Sequence, residues 1–203
     1  MLFDYLRTSR IVAVLLVVSA ITQAIYTALY VSDAEVPRQL LWGTEGVLFT
    51  LIAAFAGSAL AQSRTHSLAW SAITAAAILN VVQVGVGLTM FGPFFEAAGN
   101  VDGVRPAASA VVAFSFMVYN AAKVLLALAL MSFGLSGLRT GARALGGISG
   151  AVGAVALVAN AASMSAGRKV FGDLPLAGGS GVVATVLLAV CLVSDLNAQS
   201  EKL

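Results

Sequence analysis

One lysine lies deep inside a long apolar stretch, and it is the residue with the clearest capacity for chemistry. Lys123 occurs in the segment Ala-Ala-Lys-Val-Leu-Leu, with apolar residues on both sides. A charge at the centre of a membrane-spanning helix costs about 2.5–3.5 kcal/mol unless it is paired or faces water, so it predicts a functional site. Two alternatives stay open: snorkelling of the side chain with local thinning of the bilayer, and a buried ion pair that only orders the helices.

Glu45 is the second ionisable residue inside an apolar stretch. It lies about 7–8 Å from the end of its predicted helix, whereas Lys123 lies about 15 Å from the opposite membrane surface, at about 1.5 Å per residue. The two depths differ by more than about 10 Å, which argues against a direct pair. The alternative interpretation is a carboxylate near the membrane surface that pairs with Arg38 or Arg105.

Amide side chains lie in the same stretches, near the midplane or between it and the end that holds Glu45. They are Gln23, Asn80, Gln83, Asn120 and Asn160. Asn120 precedes Lys123 by three residues, so both project from a similar face of one helix. If these side chains converge, they outline a polar cavity that could bind a small anionic or hydrogen-bonding solute. The alternative is that they only join helices, through interhelical hydrogen bonds worth roughly 0.6 kcal/mol each.

Metal, haem and hydrolase chemistry lack the residues they need. His66 and Cys191 are the only histidine and the only cysteine, far apart in sequence, which predicts no metal site and no cofactor. The motifs HExxH, GxxxxGK[ST] and GxSxG do not occur, so zinc proteolysis, P-loop hydrolysis and a nucleophile elbow are not expected. The sequence favours a protein that is not an enzyme. The weaker alternative is an enzyme for a lipid-soluble substrate, with Glu45 or Lys123 as acid or base.

The elements that must position these residues are long apolar helices. Of the 203 residues, 60% are hydrophobic and 10% are charged, against about 25% charged in a typical soluble domain. Stretches of about 18 or more apolar residues are long enough to cross a bilayer as helices. We therefore predict an all-α integral membrane protein, a bundle of about six transmembrane helices with short loops and a single domain over residues 1–203. The predicted spans are residues 11–31, 40–61, 68–91, 107–133, 145–164 and 178–193.

Two further features concern packing and connections. Gly146, Gly150 and Ala154 recur at four-residue spacing on the fifth span, which predicts close helix packing inside the bundle or between copies. The longest predicted connection, from Gly92 to Pro106, contains adjacent phenylalanines. It is interpreted as a surface loop with an aromatic anchor or as a segment that lies in the membrane interface.

Basic residues at the ends of the spans predict the orientation. With a cytoplasmic N-terminus, that side carries Arg7, Arg10, Arg64, Arg139, Arg143 and Lys202, and the other carries Arg38, Arg105, Arg168 and Lys169. This bias fits the positive-inside rule. Arg7 and Arg10 also resemble the start of a signal peptide, but the apolar character continues to Val31, which favours an uncleaved helix. We expect a multi-pass protein of the plasma (inner) membrane with both termini in the cytoplasm.

Two classes of function besides the weaker enzyme alternative fit this pattern. The leading hypothesis is binding or passage of a small solute through the polar interior, with Lys123 and Asn120 at its base. The second is a non-catalytic membrane subunit or assembly factor that binds a partner through its helix faces. The expected partners are the lipid bilayer and either further copies of the chain or another membrane protein. Nucleic acid is not expected, because the basic residues are scattered rather than clustered on one face.

Overall fold

The regular structure of this chain is helical wherever it is described. The computed structural model describes residues 4–32, 34, 38–167, 169–172 and 174–200, with the backbone alone for residues 30, 140 and 196–200. The helices are α1 Tyr5–Val31, α2 Gln39–Gln62, α3 Ser67–Val86, α4 Gly92–Asn100, α5 Arg105–Thr140, α6 Arg143–Ala166 and α7 Leu176–Ser200. With α3 and α4 counted as one continuous helical segment, 6 segments are long and apolar enough to cross a membrane. The prediction of an all-helical chain with six long apolar helices is confirmed.

The third helical segment extends beyond its predicted end. A π-helical turn, Gly87–Phe91, leads directly into α4, and a 3₁₀ turn, Asp102–Val104, precedes α5. Most of the predicted connection from Gly92 to Pro106 is therefore helical. Pro93 explains the irregularity, because a proline inside a helix removes one backbone hydrogen bond and its ring crowds the carbonyl four residues earlier. A π turn beside the proline absorbs this disturbance, and the helix continues.

The long helices form a closed ring. Each packs against the next along the chain, in the order α1, α2, α3, α5, α6 and α7, and α7 returns to α1. Helix α5 also contacts α7 directly, in addition to the contacts that both helices make with α6. Neighbours run in opposite directions, so the ring has two ends. We call them the Arg38 end, where α2 and α5 begin, and the His66 end, where α3 begins and α5 finishes.

The half of the ring toward the His66 end contains a layer of apolar side chains, with the buried hydroxyls of Thr8 and Ser9 nearer that end of α1. The fully buried members of the layer include Leu16, Ile52, Ile73, Leu126, Leu130, Leu188 and Leu192, which come from five helices. Closer to the His66 end, Trp70 donates a hydrogen bond from Nε1 to the Tyr5 hydroxyl at 3.1 Å. His66 then stacks on Phe133, with ring centroids 4.7 Å apart. This apolar layer separates the bundle interior from the His66 end.

Helices α5 and α6 approach each other across glycines. A Cβ built on Gly146 would lie 2.6 Å from the carbonyl oxygen of Gly134, and one on Gly153 would lie 2.6 Å from Cγ of Met131. Among the three small residues at four-residue spacing, only Gly146 has this role. A Cβ on Gly150 meets nothing within 4 Å, and Ala154 is exposed. The face that packs on α5 follows Gly146, Ser149 and Gly153 instead, because an α-helix repeats every 3.6 residues.

Candidate functional site

Lys123 points into the interior of the ring and is held there by neutral groups. Its side chain is 1% exposed. The ammonium Nζ donates to Oε1 of Gln23 on α1 at 2.5 Å and to Oγ1 of Thr185 on α7 at 3.5 Å. It also lies 5.2 Å from the ring centroid of Tyr119, one turn earlier on α5. We call these four residues the Lys123 cluster. Among the described residues, no carboxylate lies within 4.0 Å of the ammonium.

Gly181 leaves the space that the methylene groups of Lys123 occupy. A Cβ added to Gly181 would lie 2.8 Å from Cδ and 3.0 Å from Cγ of Lys123. Contacts this short force a neighbour to shift, so a side chain at this position competes with the lysine. Gly181 and Thr185 are one turn apart on α7 and therefore present the same face to α5. Gly181 lies near the start of the sixth predicted span, residues 178–193, and there it accommodates Lys123.

We expect Gly181→Val to destabilise the protein by about 1–3 kcal/mol, because it overpacks a filled interior. In a Lys123→Ala background the same substitution should cost at least about 1 kcal/mol less, because alanine lacks the methylene groups with which the valine would collide. Thermal unfolding of the four proteins in detergent measures this double-mutant cycle. Gly179→Val is the matched control, since a Cβ at Gly179 meets nothing within 4 Å. Equal costs in both backgrounds would show that Gly181 does not accommodate Lys123.

Glu45 is the second buried charge of the interior. It is 5% exposed on α2, and its Oε1 has no hydrogen-bond partner among the described residues. The Thr22 hydroxyl lies beside its side chain, and the charge of Lys123 acts on it through space. The two charged groups are nevertheless more than 4.0 Å apart, since the salt bridges of the described residues do not join them.

The arginines that could have paired with Glu45 are engaged elsewhere. Arg38 donates to the carbonyl oxygen of Ala34, and its guanidinium carbon lies 5.7 Å from the ring centroid of Tyr26. Arg105 pairs with Asp102 at 3.5 Å. The interpretation of Glu45 as a surface carboxylate paired with one of these arginines is therefore wrong in this structure. The carboxylate faces the interior of the ring instead.

Aromatic side chains line the Arg38 end above Glu45. Tyr26 and Trp42 lie 5.9 Å apart between ring centroids, and Trp42 contacts Phe91 at 5.6 Å. Trp42 precedes Glu45 by three residues, so the two share a face of α2. Gly87 leaves room for the indole, because a Cβ there would lie 3.2 Å from the Trp42 ring.

Of the five amides predicted to converge with Lys123, one bonds the lysine, two join helices, and two do neither among the described residues. Gln23 alone joins the Lys123 cluster through a hydrogen bond. Gln83 donates to Oγ of Ser115 at 3.4 Å, which links α3 to α5, and Asn160 donates to the carbonyl oxygen of Ala177 at 3.1 Å, which links α6 to α7. These two amides join helices, as the alternative interpretation proposed.

Asn80 and Asn120 are buried, and neither side chain bonds a second helix among the described residues. Asn80 donates to the carbonyl oxygen of Ala76 in its own helix at 2.9 Å, and its Oδ1 has no partner among the described residues. Asn120 lies in the bundle close to Lys123 in sequence and is 4% exposed, but the lysine donates to Gln23 and Thr185 instead. Asn120 is therefore not a ligand of the ammonium in this structure.

Three site residues escaped the sequence prediction: Thr22, Thr185 and Gly181. Threonine and glycine are common in membrane helices and carry no signal by type. Only their positions relative to other residues could have indicated a role in the site. Gly181 and Thr185 share one face of α7, and Thr22 adjoins Gln23. In the described part of the chain, no three His, Cys, Asp or Glu side chains form a group that could hold a metal ion.

The chain matches no protein-family model, no curated protein and no solved structure.

Proposed function

We propose that this chain is a multi-pass membrane protein that binds a small polar solute in the interior of its helix ring. The observation that carries the proposal is the buried ammonium of Lys123, which has only neutral partners among the described residues. A protein that needed only packing at this position would lose nothing by an apolar side chain, whereas a buried charge costs free energy. A bound solute that pairs with the ammonium would offset that cost.

The solute enters from the Arg38 end in this proposal. Glu45 lies between Lys123 and that end along the helix directions. On the other side, the apolar layer that includes Leu126 and Leu188 is fully buried, and a polar solute would have to cross it. This arrangement favours binding over open passage. We place the protein in the plasma (inner) membrane, and the basic residues support an orientation with the His66 end and both termini in the cytoplasm. Arg168 and Lys202, which enter that comparison, lie outside the described residues.

Native mass spectrometry of the protein extracted in a mild detergent tests the proposal without a guess about the solute. We expect the protein to carry a defined small molecule, in a fixed ratio to the chain. A wild-type protein that carries no small molecule would contradict the proposal. A fixed complex with a different protein would instead support the subunit function.

The subunit or assembly function has one specific observation in its favour. Helix α6 turns small residues outward, because Gly147 and Ala154 are exposed and a Cβ on Gly150 meets nothing within 4 Å. Small residues on an outward face let a second helix approach closely in a bilayer.

We expect Gly150→Leu to shift any native oligomer or complex to the free monomer, because the leucine keeps the second helix at a distance. Native mass spectrometry in mild detergent measures the populations. Val155→Leu is the control, since Val155 is a bulky exposed residue of the same helix that points away from the face of Gly150 and Ala154, and its enlargement should change nothing. A wild-type protein that is a lone monomer under these conditions would eliminate this function.

A further inference from the structure

The bundle interior holds two opposite charges that do not pair with each other. Glu45 on α2 and Lys123 on α5 are both buried and more than 4.0 Å apart, because they are not among the salt bridges of the described residues. Burial without a counter-ion is costly for each group, and direct pairing would reduce that cost. The helices nevertheless hold the two groups apart, so no described carboxylate or ammonium neutralises either charge by direct contact.

Each group also has unused hydrogen-bonding capacity. Oε1 of Glu45 is buried and accepts no hydrogen bond among the described residues. Most buried acceptors in proteins accept at least one hydrogen bond. An ammonium has three donors, and the described hydrogen bonds of Lys123 go to Gln23 and Thr185. Oε1 of Glu45 therefore lacks a donor among the described residues, and the Lys123 ammonium can still donate to an acceptor.

We infer that the solute is a small zwitterion whose ammonium binds Glu45 and whose carboxylate binds Lys123. The inference rests on the proposed function and adds the charge of the ligand to it. A simple anion on Lys123 would bring a second negative charge toward Glu45, and a simple cation on Glu45 would bring a second positive charge toward Lys123. In an interior of low polarity, such like-charge approaches are strongly unfavourable. A zwitterion neutralises both ends at once.

The aromatic residues at the Arg38 end give the zwitterion its direction. Trp42 shares a face of α2 with Glu45, whereas the neighbouring Tyr26 ring already faces the Arg38 guanidinium. Aromatic ring faces attract ammonium groups, particularly those that are partly desolvated. The ammonium of the solute therefore lies toward the Arg38 end and its carboxylate lies deeper, at Lys123.

Binding of five small probes to the protein in lipid nanodiscs tests this inference by calorimetry. Three probes are zwitterions of increasing chain length: glycine, β-alanine and γ-aminobutyrate. The other two carry one charge each: propylamine and propionate. Because the distance between the two protein charges exceeds hydrogen-bonding range, the chain length of the best zwitterion measures the span of the site. We expect at least one zwitterion to bind tenfold or more tightly than either singly charged probe.

Variants assign the two ends of the ligand. In Glu45→Gln, we expect the advantage of the best zwitterion over propionate to disappear, and in Lys123→Met its advantage over propylamine should disappear. Glu96→Gln, which alters an exposed carboxylate, should bind like the wild type. Propionate that binds wild type as tightly as the zwitterions would overturn the inference and leave the proposed function intact. Absence of binding by all five probes would also overturn it, and native mass spectrometry would then decide separately whether any solute is bound.

Discussion

The Lys123→Met variant is expected to fold normally and to lose the bound solute. Methionine has a similar length, so it still fills the space over Gly181. It removes the buried charge, which saves about 2.5–3.5 kcal/mol on insertion scales, but leaves Oε1 of Gln23 without its donor, which costs about 1–3 kcal/mol. These effects largely cancel, and we expect stability within about 2 kcal/mol of the wild type.

The affinity for the solute should fall although the protein remains folded. A hydrogen bond to a charged group contributes about 1.5–3 kcal/mol, so the affinity for the solute should fall roughly tenfold to a hundredfold. Native mass spectrometry reports the bound fraction, and thermal unfolding reports the stability of the same sample. Lys169→Met, which removes an exposed lysine, is the matched control. Full solute occupancy in folded Lys123→Met would eliminate the Lys123 cluster as the binding site.

Gly146→Ala is expected to be the most damaging small substitution in the bundle. Its Cβ would lie 2.6 Å from the carbonyl oxygen of Gly134 and 2.8 Å from the backbone nitrogen of Leu138. Backbone atoms of a packed helix cannot move aside as a flexible side chain can, so α5 and α6 must separate. We expect a cost of about 3 kcal/mol, at the upper end of overpacking effects. The predicted readout is a large drop in the thermal unfolding temperature in detergent.

Gly150→Ala provides the comparison for this prediction, because it adds the same methyl group one turn away on the same helix. Nothing lies within 4 Å of the added atom, and alanine favours helix over glycine by about 1 kcal/mol. We expect this variant to be as stable as the wild type or more so. Similar unfolding temperatures for the two alanine variants would contradict the close α5–α6 contact.

The six apolar helices could be predicted from sequence because each depends on a property of a continuous segment. Length and apolar composition decide whether a helix can cross a bilayer, and neither requires knowledge of its neighbours. The end of the third segment could not be predicted in this way. A Gly-Pro pair typically ends a helix, and only the surrounding packing decides that the chain continues through a π turn into α4.

The candidate site was predictable only in part, for a related reason. Lys123 and Glu45 stand out because a charge in an apolar stretch is costly wherever its helix packs. Whether an amide meets the lysine or joins two helices depends on helix rotation, which the apolar composition leaves undetermined. Gln23 and Asn160 look alike in sequence, yet one accepts from Lys123 and the other donates to α7. Gly181 has no side chain to attract notice, and its role becomes visible only beside the lysine stem.

If a solute binds Lys123, the packing of Lys123 against Gly181 would couple ligand occupancy to the shape of the ring. The methylene groups of Lys123 fill the volume between α5 and α7 beside Gly181. A solute that displaces the ammonium would therefore also move these methylene groups away from Gly181. An unfilled volume destabilises a packed interior by about 24 cal/mol per Å³. The least costly response is a movement of α7 toward α5. Because α7 also closes the ring against α1, that movement would loosen the α1–α7 seam, and a distance across the seam would report whether the solute is bound.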